Sequence, residues 1–188
     1  ALANFIAGLK NASSSSCSPK PVVLMGDLNC ARTPMDIYTI KGKEKSAGFT
    51  PQERESFEKR ILGQPSSAGA AGLRDVWRER HPERVEYTYW SYRGGNYATN
   101  RGWRLDYTLV HPELAGGRAA GKKGSGNGNR EDSDGEDEGG SDGEEEEEEE
   151  NAKKSLIHDV FHLAHVRGSD HCPIGVTISA EGHGEELV

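Results

Sequence analysis

The stretch VVLMGDLN, residues 22–29, is an apolar run that stops at a glycine and is followed by an aspartate and an asparagine. A short continuous apolar run predicts a β-strand buried on both faces. Because side chains alternate along a strand, Asp27 and Asn29 are expected on the same side at its end. A carboxylate beside an amide can bind a hard cation, orient a water molecule and donate a hydrogen bond to a phosphate oxygen. The same pair is also common in an Asx-rich turn that has no chemical role.

Two later stretches carry further residues of this kind. GWRLDY at residues 102–107 contains Asp106, and GSDHCPI at residues 168–174 contains Asp170 and His171. An imidazolium can donate a hydrogen bond to a phosphate oxygen whose charge grows in the transition state, and a carboxylate bonded to it orients the ring. Each of these residues taken alone is as typical of a solvated surface as of a catalytic site. Together the three stretches hold the residue types that a metal-assisted phosphodiester hydrolase needs.

Two helices are predicted from spacing and capping signals. Residues 1–10 place their apolar side chains at helical intervals. The second helix begins at Thr50, with Pro51 in its first turn and Glu53 completing a capping box. It is expected to run to about Leu62.

Residues 73–80 read as a short helix-like segment that ends before Pro82, and the other ordered segments read as strands, with one exception. Two aromatic runs, residues 87–92 and 103–110, flank a Gly/Asn loop and predict a hairpin, and residues 173–178 predict a last apolar strand. The exception is a histidine set with the spacing of one helix face, which allows either a zinc site or ordinary surface histidines: His158, His162 and His165.

Three cysteines without metal-type spacing predict reduced thiols in an intracellular protein: Cys17, Cys30 and Cys172.

The acidic residues are concentrated in one block. The chain has 31 Asp and Glu against 23 Lys and Arg, a net charge of −8, but residues 131–150 hold 14 of the acidic residues and no basic ones. The rest of the chain is therefore mildly basic, which suits a polyanionic partner. Residues 118–154 predict a disordered acidic low-complexity insertion. Three roles are open for this insertion. It binds a protein partner, it mimics DNA and competes for the basic part of the same chain, or it is a surface loop that the fold tolerates.

With GFTPQER at residues 48–54, the stretches around Asp27, Asp106 and His171 resemble the exonuclease III-type apurinic/apyrimidinic (AP) endonucleases of the endonuclease/exonuclease/phosphatase superfamily. DNase I-like nucleases, lipid phosphatases and deadenylases share only the Asp-x-Asn and Ser-Asp-His motifs. The resemblance implies the C-terminal half of a four-layer α/β sandwich, with a mostly antiparallel sheet flanked by helices. Residues 1–117 and 155–188 would form this part of the domain.

The resemblance also implies a role for each site residue. Asp27 would orient the attacking water, while Asn29 and His171 would stabilise the charge that develops on the phosphate. Asp106 would support His171, and Asp170 would assist the metal or the water. The implied cofactor is Mg²⁺, with Mn²⁺ as an alternative, held by Asp27, Asn29, Asp170 and His171. The abasic sugar would contact Tyr89, Trp103 and Leu105, and further DNA contacts would come from Lys43, Arg93 and Asn100.

The implied reaction is hydrolysis of the phosphodiester 5′ to an abasic site in double-stranded DNA, a DNA repair activity, with 3′-5′ exonuclease or 3′-phosphodiesterase activity as an addition. Another nuclease or phosphatase of the superfamily and a catalytically dead DNA- or protein-binding module are the alternatives. The family's N-terminal half supplies a metal-binding glutamate that no residue here matches. The chain is therefore expected to be a fragment that binds Mg²⁺ poorly and does not cut on its own. The complete protein is expected to be a nuclear or organellar monomer without membrane association.

Overall fold

The computed structural model describes residues 2–11, 21–63, 69–116 and 155–179. Its main elements in chain order are α1 (Leu2–Asn11), β1 (Val23–Asp27), α2 (Pro51–Ser56), β2 (Arg74–Asp75), α3 (Val76–Arg80), β3 (Asp106–Val110), α4 (Pro112–Ala115), β4 (Ile157–His162) and β5 (Ile174–Ile178). Antiparallel sheets with helices beside them confirm the predicted mixed α/β class. The predicted acidic insertion lies outside the described residues. Within those residues, no helix is long and apolar enough to cross a membrane.

The larger sheet aligns the polar ends of two strands. Its order is β1-β3-β2, and both pairings are antiparallel. The register places Val23 opposite Val110 and Asp27 opposite Asp106. Residues directly opposite each other in an antiparallel pair point to the same face. The sheet therefore brings two aspartates together that are far apart in the sequence.

Strand β1 differs from its prediction. One face packs on the cluster that includes Ile6 of α1 and Leu109 of β3, and this face carries Leu24. On the other face, Val23 and Met25 are 37% and 39% exposed. The prediction of burial on both faces is therefore wrong, because in the described structure only one face of this edge strand is covered by a helix.

The predicted hairpin is also largely wrong. The two aromatic runs meet at a single bridge between Tyr89 and Trp103. Residues Asp106–Val110 instead form their ladder with β1 on one side and β2 on the other. The backbone groups of a central strand are used by its two neighbours, so none remain for a longer hairpin.

The capping box at α2 is confirmed. The Thr50 hydroxyl accepts a hydrogen bond from the Glu53 amide at 3.3 Å, and Glu53 Oε2 accepts from the Thr50 amide at 3.0 Å. Glu53 Oε2 also accepts from the Gly48 amide at 2.9 Å, which ties the preceding loop to the helix. The helix continues as a π-turn, Phe57–Ile61, and so ends close to the predicted residue.

The histidines do not share a helix face, because Ile157–His162 is strand β4, paired with β5. His158 and His165 are exposed, whereas the His162 ring is buried and stacks on Trp77 with centroids 4.4 Å apart. The described residues contain no group of three or more His, Cys, Asp or Glu placed to hold a metal ion. Of the cysteines, Cys30 and Cys172 are free and buried, and Cys17 lies outside the described residues.

A buried cluster of four charged residues joins three parts of the chain, and we call it the Arg104 cluster: Asp36, Asp75, Arg78 and Arg104. The Arg104 guanidinium donates to Asp36 Oδ1 at 2.7 Å and to Asp75 Oδ2 at 2.8 Å. Arg78 also donates to Asp36 Oδ1 at 2.7 Å. The cluster connects the loop after β1, the start of α3 and the segment before β3. It therefore fixes the segment that leads into Asp106.

Burial of His162 makes the stability of the fold sensitive to pH. The pKa of His162 is lowered because burial disfavours the imidazolium, an effect that Glu86, 3.1 Å from Nδ1, opposes only in part. The unfolded chain therefore binds a proton at a higher pH than the folded chain. We expect the free energy of unfolding to fall as the pH drops below about 6.5, the pKa of an unperturbed histidine.

Urea unfolding between about pH 7.5 and about pH 5.5 measures this dependence. The His162→Gln variant should show a flatter profile over that range. Asp36 and Glu86 have lowered pKa values and so contribute only at more acidic pH. The same slope in the variant and the unmodified chain would exclude His162 as the cause.

Candidate active site

The imidazole of His171 lies between two aspartates. Its Nδ1 is 2.8 Å from Asp106 Oδ2, and its Nε2 is 4.0 Å from Asp27 Oδ2. An ionised carboxylate only accepts hydrogen bonds, so this contact places the proton of the neutral ring on Nδ1. Nε2 then faces Asp27. The predicted trio of Asp27, Asp106 and His171 is therefore close together in the structure.

Backbone geometry explains why these three residues meet. Asp27 and Asp106 are opposite each other at the end of the β1–β3 pair. His171 forms an isolated antiparallel bridge with Tyr89, and the two rings lie 4.9 Å apart. Thr88 holds the backbone at Asp106 in place, because its hydroxyl accepts hydrogen bonds from the amides of Leu105 and Asp106, each at 3.0 Å.

Asn29 adopts a left-handed conformation with φ of 50°. Asparagine tolerates this region better than most residues because its short polar side chain bonds locally. Its amide N–H donates to Asp27 Oδ1 at 2.8 Å, so one oxygen of that carboxylate is held by the turn. The Asx-type turn that the sequence allowed is present, and Asn29 also borders a pocket with His171.

Asp170 occupies a different position from the trio. Its carbonyl accepts from the Trp90 amide at 2.7 Å, and its Oδ1 is 3.3 Å from the Ser169 hydroxyl. Asp170 is next to His171 in the chain but does not line the pocket. Its place in the structure is to fix the loop that presents His171.

His171 is the member of the trio that lines a pocket of about 510 Å³. The predicted sugar-contacting residues Tyr89, Trp103 and Leu105 line it, and so does the predicted DNA-contacting residue Lys43. Aromatic and aliphatic walls beside convergent polar groups are typical of a ligand site. The other two DNA candidates lie elsewhere. Arg93 is exposed outside the pocket, and the Asn100 side chain accepts a hydrogen bond from the Trp90 indole at 3.1 Å.

The residues that line the pocket but are absent from the sequence-based set include Tyr38, Asn96 and Arg101. Each lies in a polar loop without periodicity, where sequence patterns say little about direction. For Arg101, the sequence did offer one indication of a role at the site, because this residue directly precedes the GWRLDY stretch. A basic residue next to a strand entry that bears site residues is a reasonable candidate for ligand contact.

The residues at this site partly fit a divalent cation. Asp27 and Asn29 offer a carboxylate and an amide oxygen, the hard donors that Mg²⁺ prefers, and Mg²⁺ sites commonly use one or two carboxylates with water and phosphate oxygens. His171 is a poor ligand for Mg²⁺, and its Nδ1 is already bonded to Asp106. Because the described residues gather no larger donor group, these residues alone would hold a cation weakly.

Comparison with known proteins places this geometry in a family. The family model described as endonuclease/exonuclease/phosphatase matches residues 4–171. A DNA-(apurinic or apyrimidinic site) endonuclease of Dictyostelium discoideum is 34% identical over 160 residues, which is 85% of this chain and 32% of the relative. An exodeoxyribonuclease of Bacillus subtilis is 31% identical over 161 residues, 85% of this chain and 45% of the relative. The chain thus spans less than half the length of these relatives.

Solved structures show the same architecture. The AP endonuclease of Leishmania major superposes with a TM-score of 0.63 at 25% identity, covering 93% of this chain and 40% of the other. A 3′ phosphatase of Neisseria bound to product DNA gives a TM-score of 0.64 at 22% identity, covering 96% and 51%. The second similarity concerns the fold alone.

Proposed function

This chain belongs to the endonuclease/exonuclease/phosphatase family, in its exonuclease III-type AP endonuclease branch, and we propose that it acts in DNA repair by hydrolysing the phosphodiester 5′ to an abasic site. One observation carries the proposal. His171 is held by Asp106 at 2.8 Å with its other ring nitrogen toward Asp27, and His171 lines a pocket with aromatic walls. A nucleotide without its base leaves a small sugar whose C–H face such a wall can contact.

Each residue of the trio has a distinct part in the proposed reaction. Asp27 orients the attacking water through its free oxygen, Oδ2, because Oδ1 is bonded to the Asn29 amide. His171, as imidazolium, donates from Nε2 to a phosphate oxygen, while Asp106 accepts from Nδ1 and keeps the ring in this orientation. The side-chain amide of Asn29 donates a hydrogen bond to a second phosphate oxygen.

A divalent cation, with Mg²⁺ as the proposed ion, supplies charge neutralisation at the phosphate when bound. Asp27 and Asn29 are the residues that would hold it. One lone pair of the Asp27 carboxylate cannot accept a hydrogen bond from the water and coordinate the ion at the same time. The two roles therefore compete unless further ligands hold the ion, which agrees with weak binding of the ion by these residues alone.

A chimera tests the proposal. The part of the Bacillus subtilis exodeoxyribonuclease that has no counterpart here is joined to this chain, and the product is assayed with Mg²⁺ on three substrates: duplex DNA with one abasic site, the same duplex without it, and a phosphoinositide. We expect incision on the 5′ side of the abasic site. Preferred hydrolysis of plain duplex or phosphoinositide would support a different nuclease or phosphatase of the family. Binding of abasic duplex without any hydrolysis would support the binding-module alternative.

A further inference from the structure

Two cationic side chains at the pocket have no acidic partner among the residues that the structure describes. Lys43 comes from the loop after β1 and Arg101 from the loop before Trp103, and both line the pocket with His171. Neither forms an ion pair with another described residue, in contrast to the arginines of the Arg104 cluster. Glu53, the one acidic residue among the described residues that line the pocket, is bonded to the Gly48 and Thr50 amides and the Thr50 hydroxyl. The pocket therefore presents unneutralised positive charge.

The loop that carries Arg101 is anchored to the loop that carries His171. The Tyr97 hydroxyl donates to the Ala164 carbonyl at 2.6 Å, and the Tyr97 ring packs on Trp90 with centroids 4.9 Å apart. Trp90 in turn donates from its backbone amide to the Asp170 carbonyl. The Arg101 amide closes the loop on itself by donating to the Asn96 carbonyl at 2.7 Å. The Arg101 backbone thus keeps a fixed place relative to the His171 loop, while its side chain is exposed.

We infer that Arg101 is a substrate-contacting residue that binds a backbone phosphate of DNA next to the phosphate held at His171. This inference rests on the proposed function. A DNA strand carries further phosphates on either side of the hydrolysed one, so a cation at the pocket finds a second phosphate to bind in a DNA substrate. Guanidinium matches a phosphate through two parallel hydrogen bonds. Because Arg101 is exposed, it meets the phosphate with little desolvation.

Salt dependence of DNA binding tests the inference without requiring catalysis. The 188-residue chain is titrated against a fluorescent duplex that carries one stable abasic-site analogue, from about 50 to about 200 mM salt. We expect the Arg101→Gln variant to bind more weakly and to reduce the slope of log K against log[salt] by about 1. The Arg101→Lys variant should retain the slope, because its charge is kept.

The matched control is Arg60→Gln, which removes the same charge from an exposed position outside this pocket. An equal loss of slope in both Gln variants would show an effect of net charge alone and would overturn the inference. An unchanged slope in Arg101→Gln, with binding by the unmodified chain intact, would overturn the inference and leave the proposed function standing. Failure of the unmodified chain to bind duplex DNA would overturn the inference, and the chimera assay would then decide the proposed function separately.

Discussion

Replacing Arg104 by methionine is expected to lower the free energy of unfolding by about 3–5 kcal/mol, the usual cost of breaking a buried ion pair from one side. Arg104 is fully buried and donates to both carboxylates of the Arg104 cluster, and its backbone amide also donates to the Asp36 carbonyl at 2.8 Å. Methionine fills a similar volume, so the loss would come from two carboxylates left in the core with fewer donors. A cavity would contribute little.

The carboxylates show how strongly the cluster depends on Arg104. Burial alone raises the pKa of Asp36, but the Arg104 charge, with hydrogen bonds from Arg104, Thr33 and Arg78, outweighs burial and lowers the pKa to about 2. A folded-state pKa below the ordinary value stabilises the fold above that value, and the contribution is lost as the pH falls from about 4 towards 2. In Arg104→Met this acid-sensitive contribution should shrink.

Chemical denaturation of Arg104→Met, with Arg93→Met as an exposed control, measures the effect. The control should change the free energy of unfolding by less than about 0.5 kcal/mol. Adding Asp36→Asn and Asp75→Asn to Arg104→Met should recover part of the loss, because the uncompensated charges are then gone. A loss below about 1 kcal/mol in the single variant would mean that water or neighbouring groups solvate the carboxylates.

Local patterns in the sequence predicted the local structure well. The capping box at Thr50 and the strand that ends at Asp27 depend on neighbouring residues, and both are present. The secondary-structure prediction failed where the spacing of residues along the chain fits both a helix and a strand. A separation of four residues, as between His158 and His162, is compatible with one face of a helix and with one face of a strand, and here the segment pairs with β5.

Long-range partners could not be predicted in the same way. Asp36 and Asp75 meet Arg104 across separations of 68 and 29 residues, and no pattern in the sequence links them. The site residues were found because family motifs mark them individually. Their convergence depends on the β1–β3 register, which only the folded chain shows. Arg101 was missed because its loop has no periodicity, although its position is fixed by contacts with the His171 loop.

The largest catalytic effect is expected at His171. In the chimera described above, His171→Gln should lower kcat by about 10²–10³-fold, the usual cost of removing one donor to developing oxyanion charge. Glutamine keeps a polar side chain but carries no charge and cannot occupy the imidazole position against Asp106. Asp106→Asn should cost less, about 10–100-fold, because Asp106 acts on the substrate only through the ring that it orients.

The double variant decides whether Asp106 works through His171. If it does, His171→Gln with Asp106→Asn should be no slower than His171→Gln alone, since the orienting group has nothing left to orient. Multiplicative losses would instead give Asp106 an independent role, such as holding the metal or the water. Single-turnover incision of the abasic duplex separates this chemistry from product release, and Glu83→Gln, an exposed carboxylate change outside the pocket, is the control. Full activity in His171→Gln would remove the trio from the mechanism, whatever its geometry.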